Sequence, residues 1–393
     1  MSRPIATRLA LFLTVTVSCT SSAPHRAASL ARIPVQVQGG IVFVPTTING
    51  KGPFWFELDS GFQNCAIDRA LVSTLGLSVG ERQNINAPGG SVERATVMGA
   101  ELSVAGRVVE NAAISALDLS PFGPFFGRAP DGILGYDFFR SNVIEVDYEQ
   151  HTLTLFDVAS FQRPDHAISL PIDTVLRQPY VAATVVTRDG RRVTGRFEID
   201  TGSMDALNLN TPFAVASNIP LVGADVLAAR GRSIGGETQA VLIRVVALEM
   251  SGLTVSAPIA SVVEDAVDRA GQISAETLRR FTVTFDYSRN VLHLVRNATF
   301  GTSFDLDMAG WFIIAAGANL DGRKVFLVLD GSPAAEAGVT QGDVLLRVDG
   351  RPVASYTLDQ LRALFKVPSK TYHVELMRGE QTLVAKITTR RLL

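Results

Sequence analysis

The chain has 393 residues, 47% of them hydrophobic and 19% charged, with a formal net charge of −2 and a pI of about 6.2. At roughly 100–200 residues per domain, this length predicts two to four domains, and the hydrophobic share excludes wholesale disorder. The nearly balanced charge excludes the basic footprint of a nucleic-acid-binding protein.

At the N-terminus, Arg3 and Arg8 precede an apolar run from Leu9 to Val17. The run is too short to span a bilayer as a mature helix. Basic residues, a short apolar run and then small residues form the layout of an export signal, expected over 1–19 and followed by a flexible segment over 20–33. Val17-Ser18-Cys19 resembles a bacterial lipobox, in which Cys19 is lipidated, although Thr16 stands where that motif has Leu. The alternative is plain cleavage near Ser21-Ser22-Ala23, where the following Pro24 is a poor context. Export to a bacterial periplasm, or as an outer-membrane lipoprotein touching the membrane only through its lipid, is the expectation. Without the signal, Cys65 is the one remaining thiol, which excludes an intramolecular disulfide. Cys65 is expected to be a small buried hydrophobe. His25, His151, His166, His293 and His373 show no ligand spacing, so neither a metal nor another cofactor is expected.

From residue 34 the chain alternates short Val/Ile/Phe/Thr-rich runs with Gly, Pro and Asn, a β-strand pattern. Ile41 to Thr47, a turn at Asn49-Gly50-Lys51-Gly52 and a strand lead into Asp59-Ser60-Gly61. Tyr180 to Val186, a turn at Arg188-Asp189-Gly190 and a strand lead into Asp200-Thr201-Gly202-Ser203. Downstream, Asn142 to Tyr148 matches Phe281 to Tyr287. The Asp147–Tyr148 and Asp286–Tyr287 pairs are 139 residues apart, and Asp59 and Asp200 are 141 apart. Two landmarks with nearly one offset indicate a duplication. It gives lobe one at 34–157 and lobe two at 168–297, joined by the polar connector Phe161 to His166. Asp147 and Asp286 read as hairpin corners.

The two halves resemble clan-AA aspartic proteases: retropepsin-like lobes fused in one chain, as in the pepsin-like bilobal arrangement. The resemblance rests on the two Asp-(Ser/Thr)-Gly turns and on Gly132-Ile133-Leu134-Gly135, the element that passes behind such a turn. The aligned stretch of lobe two, Gly271-Gln272-Ile273-Ser274, departs from the pattern at Ser274, and Phe62 departs after the first turn. The resemblance implies a mainly β fold with one cleft between the lobes and Asp59 and Asp200 as catalytic acids. Ser60, Gly61, Thr201, Gly202 and Ser203 support their turns, and protein or peptide is the substrate. Two carboxyls so close share a proton; the ionised one takes a proton from water and the protonated one hydrogen-bonds the peptide carbonyl. The Ser203 hydroxyl is expected to donate to Asp200, where Phe62 has nothing to offer Asp59, so Asp200 is expected to carry more of the charge. Gly89 and Gly90, and Gly235 and Gly236, are candidate tips of flap hairpins or ordinary surface loops.

From about Asp305 the pattern changes. Gly310-Trp311-Phe312-Ile313-Ile314, Gly331 to Gly338, Gly342 to Gly350 and the following helix and strand resemble a bacterial PDZ domain over 305–390, a small α+β module. The resemblance implies capture of C-terminal peptide tails, with Gly310, Trp311 and Phe312 holding the terminal carboxylate. The alternative is a domain docked on the lobes to regulate access. Two functional readings follow: an exported aspartic endopeptidase whose PDZ domain recruits or gates substrates, or a non-catalytic peptide-binding protein with a degenerate cleft. A third arrangement pairs lobes between two chains.

Overall fold

The computed structural model describes residues 29–110, 113–223, 225–265 and 267–393. Cys19 and the export signal lie outside the described residues.

In each lobe a hairpin delivers the acid. The strand Ile41–Ile48 turns at Asn49 and Gly50, with φ of 48° and 74°, and returns as Lys51–Leu58. Two consecutive left-handed residues make the tight turn that suits twisted strands, and Asn-Gly is the pair that adopts it most easily. Tyr180–Val186 and Arg192–Asp200 repeat the hairpin in lobe two. Behind each returning strand runs a short parallel one. Gly132–Leu134 pairs with Phe56 to Leu58, and Gly271–Ser274 pairs with Phe197 to Asp200. The strand order of the lobe-two sheet repeats that of lobe one position for position, with Gln36–Gln38 added in lobe one.

A third sheet joins the lobes. Its order is Ser29–Pro34, Thr152–Phe156, Val143–Asp147, Phe281–Asp286, Val291–Arg296 and Ile168–Pro171, palindromic about its centre. There Val146 pairs with Val283 between antiparallel strands of the two halves, which places the pseudo-twofold axis. Phe139 of lobe one packs on Phe285 and Tyr287 of lobe two at centroid distances of 4.9 and 5.5 Å. One continuous core therefore spans both lobes, which fixes their relative position. Residues 29–33, expected to be flexible, are part of this sheet: Ile33 and Ala31 pair with Leu153 and Leu155, so the segment closes an edge.

The C-terminal unit has its own core, in which Trp311, Leu361, Phe365 and Tyr372 pack around a sheet of order Trp311–Ala316, Gly322–Val328, Val344–Val348, Thr371–Arg378, Gln381–Thr388. Its longer helix, Leu358–Leu364, starts at a capping box made by Thr357 and Gln360.

Candidate active site

Each acid ends a strand and enters a turn whose glycine faces the opposite lobe. The Gly61 N–H donates to Asp59 Oδ1 and the Gly202 N–H to Asp200 Oδ1, both at 2.8 Å. A Cβ on Gly202 would stand 2.5 Å from Cγ of Asp59, and one on Gly61 would stand 3.0 Å from Oδ1 of Asp200. No side chain fits at either position, so glycine is what lets the turns close on each other. The two carboxyls lie within hydrogen-bonding reach of each other.

The turns are locked by reciprocal bonds. The Thr201 hydroxyl donates to the Leu58 carbonyl at 2.6 Å and accepts the Ser60 N–H at 2.9 Å. The Ser60 hydroxyl donates to the Ile199 carbonyl at 2.6 Å and accepts the Thr201 N–H at 3.1 Å. Both side chains are fully buried, so every polar group here depends on its partner across the interface.

Burial, then the charge of Asp200, pushes the Asp59 carboxyl well above the usual carboxylate range. Burial also pushes Asp200 up, to about 6, but the Gly202 N–H and the bond from Asp59 hold it back. Of the two, Asp59 is raised further, which favours it as holder of the proton that the pair shares as one unit. Two further carboxyls lie two residues before the acids. Glu198 is ion-paired with Arg269 and accepts from Gln178 Nε2 at 2.8 Å, and the same Gln178 nitrogen donates to the Gly61 carbonyl. Glu57 is held well above its usual range by burial and by the charges of Asp59 and Asp200. Among the described residues no three His, Cys, Asp or Glu side chains gather so as to hold a metal ion.

Gly89–Gly90 and Gly235–Gly236 lie at the tips of two hairpins, Ser78–Ala87 with Gly90–Met98 and Leu227–Ser233 with Gly236–Arg244. The tips touch: the Gly235 N–H donates to the Pro88 carbonyl at 3.0 Å, and a Cβ on Gly89 would stand 2.8 Å from the Gly236 carbonyl oxygen. Ile234, between the second pair of strands, packs in one apolar cluster with Val92, Phe122 and Phe62, the residue after the first catalytic-type turn.

Residues 44–138 match the family described as Aspartyl protease, and residues 326–372 match PDZ domain. The chain carries an aspartyl-protease domain of clan AA and a PDZ domain. It is also similar to a Synechocystis protein named serine protease HhoA, 34% identical over 73 residues, 19% of this chain and 18% of that protein. A photosystem II D1 C-terminal processing protease is 26% identical, covering 21% of this chain and 22% of that one, with a TM-score of 0.20. The chain thus spans about a fifth of the length of these two proteins. The aspartyl-protease match lies within lobe one; lobe two is tied to it by the repeated strand order and its own Asp-Thr-Gly turn.

Several expectations need correction. The Ser203 hydroxyl does not serve Asp200: Ser203 supplies its backbone N–H, and its Oγ accepts from Asn208 Nδ2 at 3.3 Å. Phe62 gives Asp59 the same backbone N–H, so the residue after the glycine is not what separates the acids. The side-chain donor to Asp200 is Gln272, with Nε2 at 2.6 Å from Oδ2, a contact visible in sequence only as the polar member of Gly271-Gln272-Ile273-Ser274. Cys65 is fully buried, and burial pushes its thiol up to about 12, which fits a packing role.

The PDZ domain departs further. Gly310 has φ of 80° and no room for a Cβ, which would meet Ser332 Cβ at 2.2 Å. The Asp307 carboxyl, pushed up to about 8 by burial, takes the N–H groups of Ala309 and Gly310 at 2.9 and 3.2 Å, so Gly310, one of the three residues expected to hold a peptide carboxylate, already serves a carboxyl from within the chain. Phe312 does not face an open groove either. Its ring stacks on Phe125 of lobe one at 6.2 Å, and Phe125 also meets Phe326 at 5.1 Å. Arg362 donates to the carbonyls of Ile313, on the sheet's edge strand, and Phe125, at 2.7 and 3.0 Å. The short helix Gly123–Phe126 thus rests on that edge.

Proposed function

We propose that this chain is an exported aspartic endopeptidase in which Asp59 and Asp200 act on one water molecule. The observation that carries the reading is the pair of carboxyls within hydrogen-bonding reach of each other between turns that Ser60 and Thr201 hold together. Asp200, ionised, removes a proton from the water as it attacks the peptide carbonyl. Asp59, protonated, hydrogen-bonds the carbonyl oxygen and stabilises the charge that develops there. When the carbon–nitrogen bond breaks, the proton gained by Asp200 passes to the leaving amine and Asp59 recovers its own. An extended peptide backbone, held between the two turns and the flap hairpins, is the proposed substrate.

In this reading the PDZ domain gates the cleft more than it captures tails. Its support is the engagement of Phe312 and Arg362 by Phe125, together with a bond from Arg230 on the second flap hairpin to Gln341 at 2.5 Å. Export rests on Arg3, Arg8 and the apolar run to Val17, and a lipid anchor rests on Cys19.

Mass spectrometry of the products formed from an unfolded protein tests the activity. Internal fragments that vanish on adding pepstatin are expected. Intact substrate across pH 3–9 leaves the non-catalytic peptide-binding reading in its place.

A further inference from the structure

Because the lobes match strand for strand, a difference at matched positions beside the acids carries information. On the parallel ladders Glu57 faces Ile133 and Glu198 faces Gln272. On the other edge Ile133 faces Ala66, while Gln272 faces Asn208. Lobe one therefore presents an apolar pair, packed with Phe62 and Phe122, where lobe two presents two amides.

The two amides form a chain of donors that ends on Asp200. Asn208 Nδ2 donates to Gln272 Oε1 at 3.1 Å, and Gln272 Nε2 donates to Asp200 Oδ2 at 2.6 Å while lying 3.5 Å from Glu198 Oε2. With Asp200 ionised, as Glu198 is beside Arg269, flipping Gln272 would turn its oxygen toward two carboxylates and its NH2 toward the NH2 of Asn208, opposing like dipoles on both sides.

We infer that Gln272 is the positioning residue that assigns the negative charge of the pair to Asp200, with Asn208 holding its amide in the donating orientation and Ile133 denying Asp59 the same help. Its place in catalysis rests on the endopeptidase reading; the assignment of charge does not. Several titratable or charged groups face the pair. They are Glu57 on the strand before Asp59, Asp205 after the second turn, Glu198 with Arg269 beside Gln272, and Tyr287 from the joining sheet. Arg269 answers both Glu198 and Asp265, so it is committed elsewhere, and Gln272 is the side-chain amide that reaches Asp200.

The test uses the full chain with carboxyl-13C-labelled aspartate, the Asp200 signal being assigned by its loss in Asp200→Asn. Gln272→Met keeps the volume and removes the donor. A hydrogen bond to a charged acceptor of ordinary strength then predicts that the Asp200 titration moves up by roughly 1–2 pH units. The acid limb of kcat/KM should move with it. Asn208→Ala should move both in the same direction by less. An Asp200 titration unmoved in folded Gln272→Met overturns the inference. A moved titration in a protein that cleaves nothing upholds the charge assignment and overturns the endopeptidase reading instead.

Discussion

Ser60 and Thr201 each donate a hydroxyl to the strand that carries the other lobe's acid, and each accepts the other's backbone N–H. Thr201→Val keeps the shape and removes both of its bonds, leaving the Leu58 carbonyl and the Ser60 N–H buried and unpaired. At about 1–3 kcal/mol per unpaired buried group, the variant should lose roughly 2–6 kcal/mol of stability. Thr201→Ser should lose much less. Urea unfolding midpoints of the two variants decide the matter, and a Val variant as stable as wild type would show that the bonds do not hold the turns.

The acids predict a pH window. Activity needs Asp200 ionised and Asp59 protonated, so kcat/KM should fall as pH drops through about 6 and fall again at higher pH as Asp59 ionises. A rate that keeps rising from pH 6 down to pH 3 would contradict the assignment. Stability runs in the opposite direction to the acid limb of activity. Asp200 has a folded pKa of about 6 against an ordinary 3.8, so the folded state binds the extra proton between those values. Its contribution is present below pH 3.8 and lost as pH rises to about 6. Asp200→Asn should therefore gain thermal stability relative to wild type at pH 7 compared with pH 4.

The flap tips predict a kinetic effect. A side chain at Gly89 would press on Ser233 Oγ at 2.7 Å and on the Gly236 carbonyl at 2.8 Å, at a φ of 83° that disfavours any Cβ. Gly89→Val should part the tips, raising KM and cutting kcat/KM about tenfold while Tm changes little, as for a closing element remote from the core. Unchanged steady-state constants would mean that the tips do not close over substrate.

The contact between Phe125 and the PDZ domain predicts altered protection. In Phe125→Ala the amides of Trp311–Ala316 should exchange with deuterium faster than in wild type, because the edge strand loses its cover. Val384→Ala, at an exposed position of the same domain, should leave them unchanged. Equal protection in both variants would show that the helix Gly123–Phe126 does not cover the edge.

Much of this was legible in the sequence because duplication repeats local chemistry. Asp-Ser-Gly and Asp-Thr-Gly each need a strand before them and a glycine after the hydroxyl residue, and the near-constant offset of Asp147 and Asp286 carried the rest of the lobe along. The missing parts are contacts between residues far apart in the chain. Gln272 lies 72 residues from Asp200 and acquires its role only because a parallel strand passes beside Glu198. Phe125 and Arg362 are 237 residues apart, and no local pattern marks a Phe-rich turn as the cover of another domain's edge strand. Asp307 is close to Gly310, but the resemblance to a peptide-binding loop hid the possibility of a carboxylate supplied from within.

The central claim, that Asp59 and Asp200 form one hydrolytic centre, is tested most directly by comparing cleavage of one peptide bond by wild type, Asp59→Asn and Asp200→Asn at pH 6.5, with equal folded fractions verified by Tm. Each substitution should lower kcat at least about a thousandfold, and the double variant should be no worse than either single one, as for groups that act as a unit. Retention of wild-type kcat by either single variant would contradict the claim.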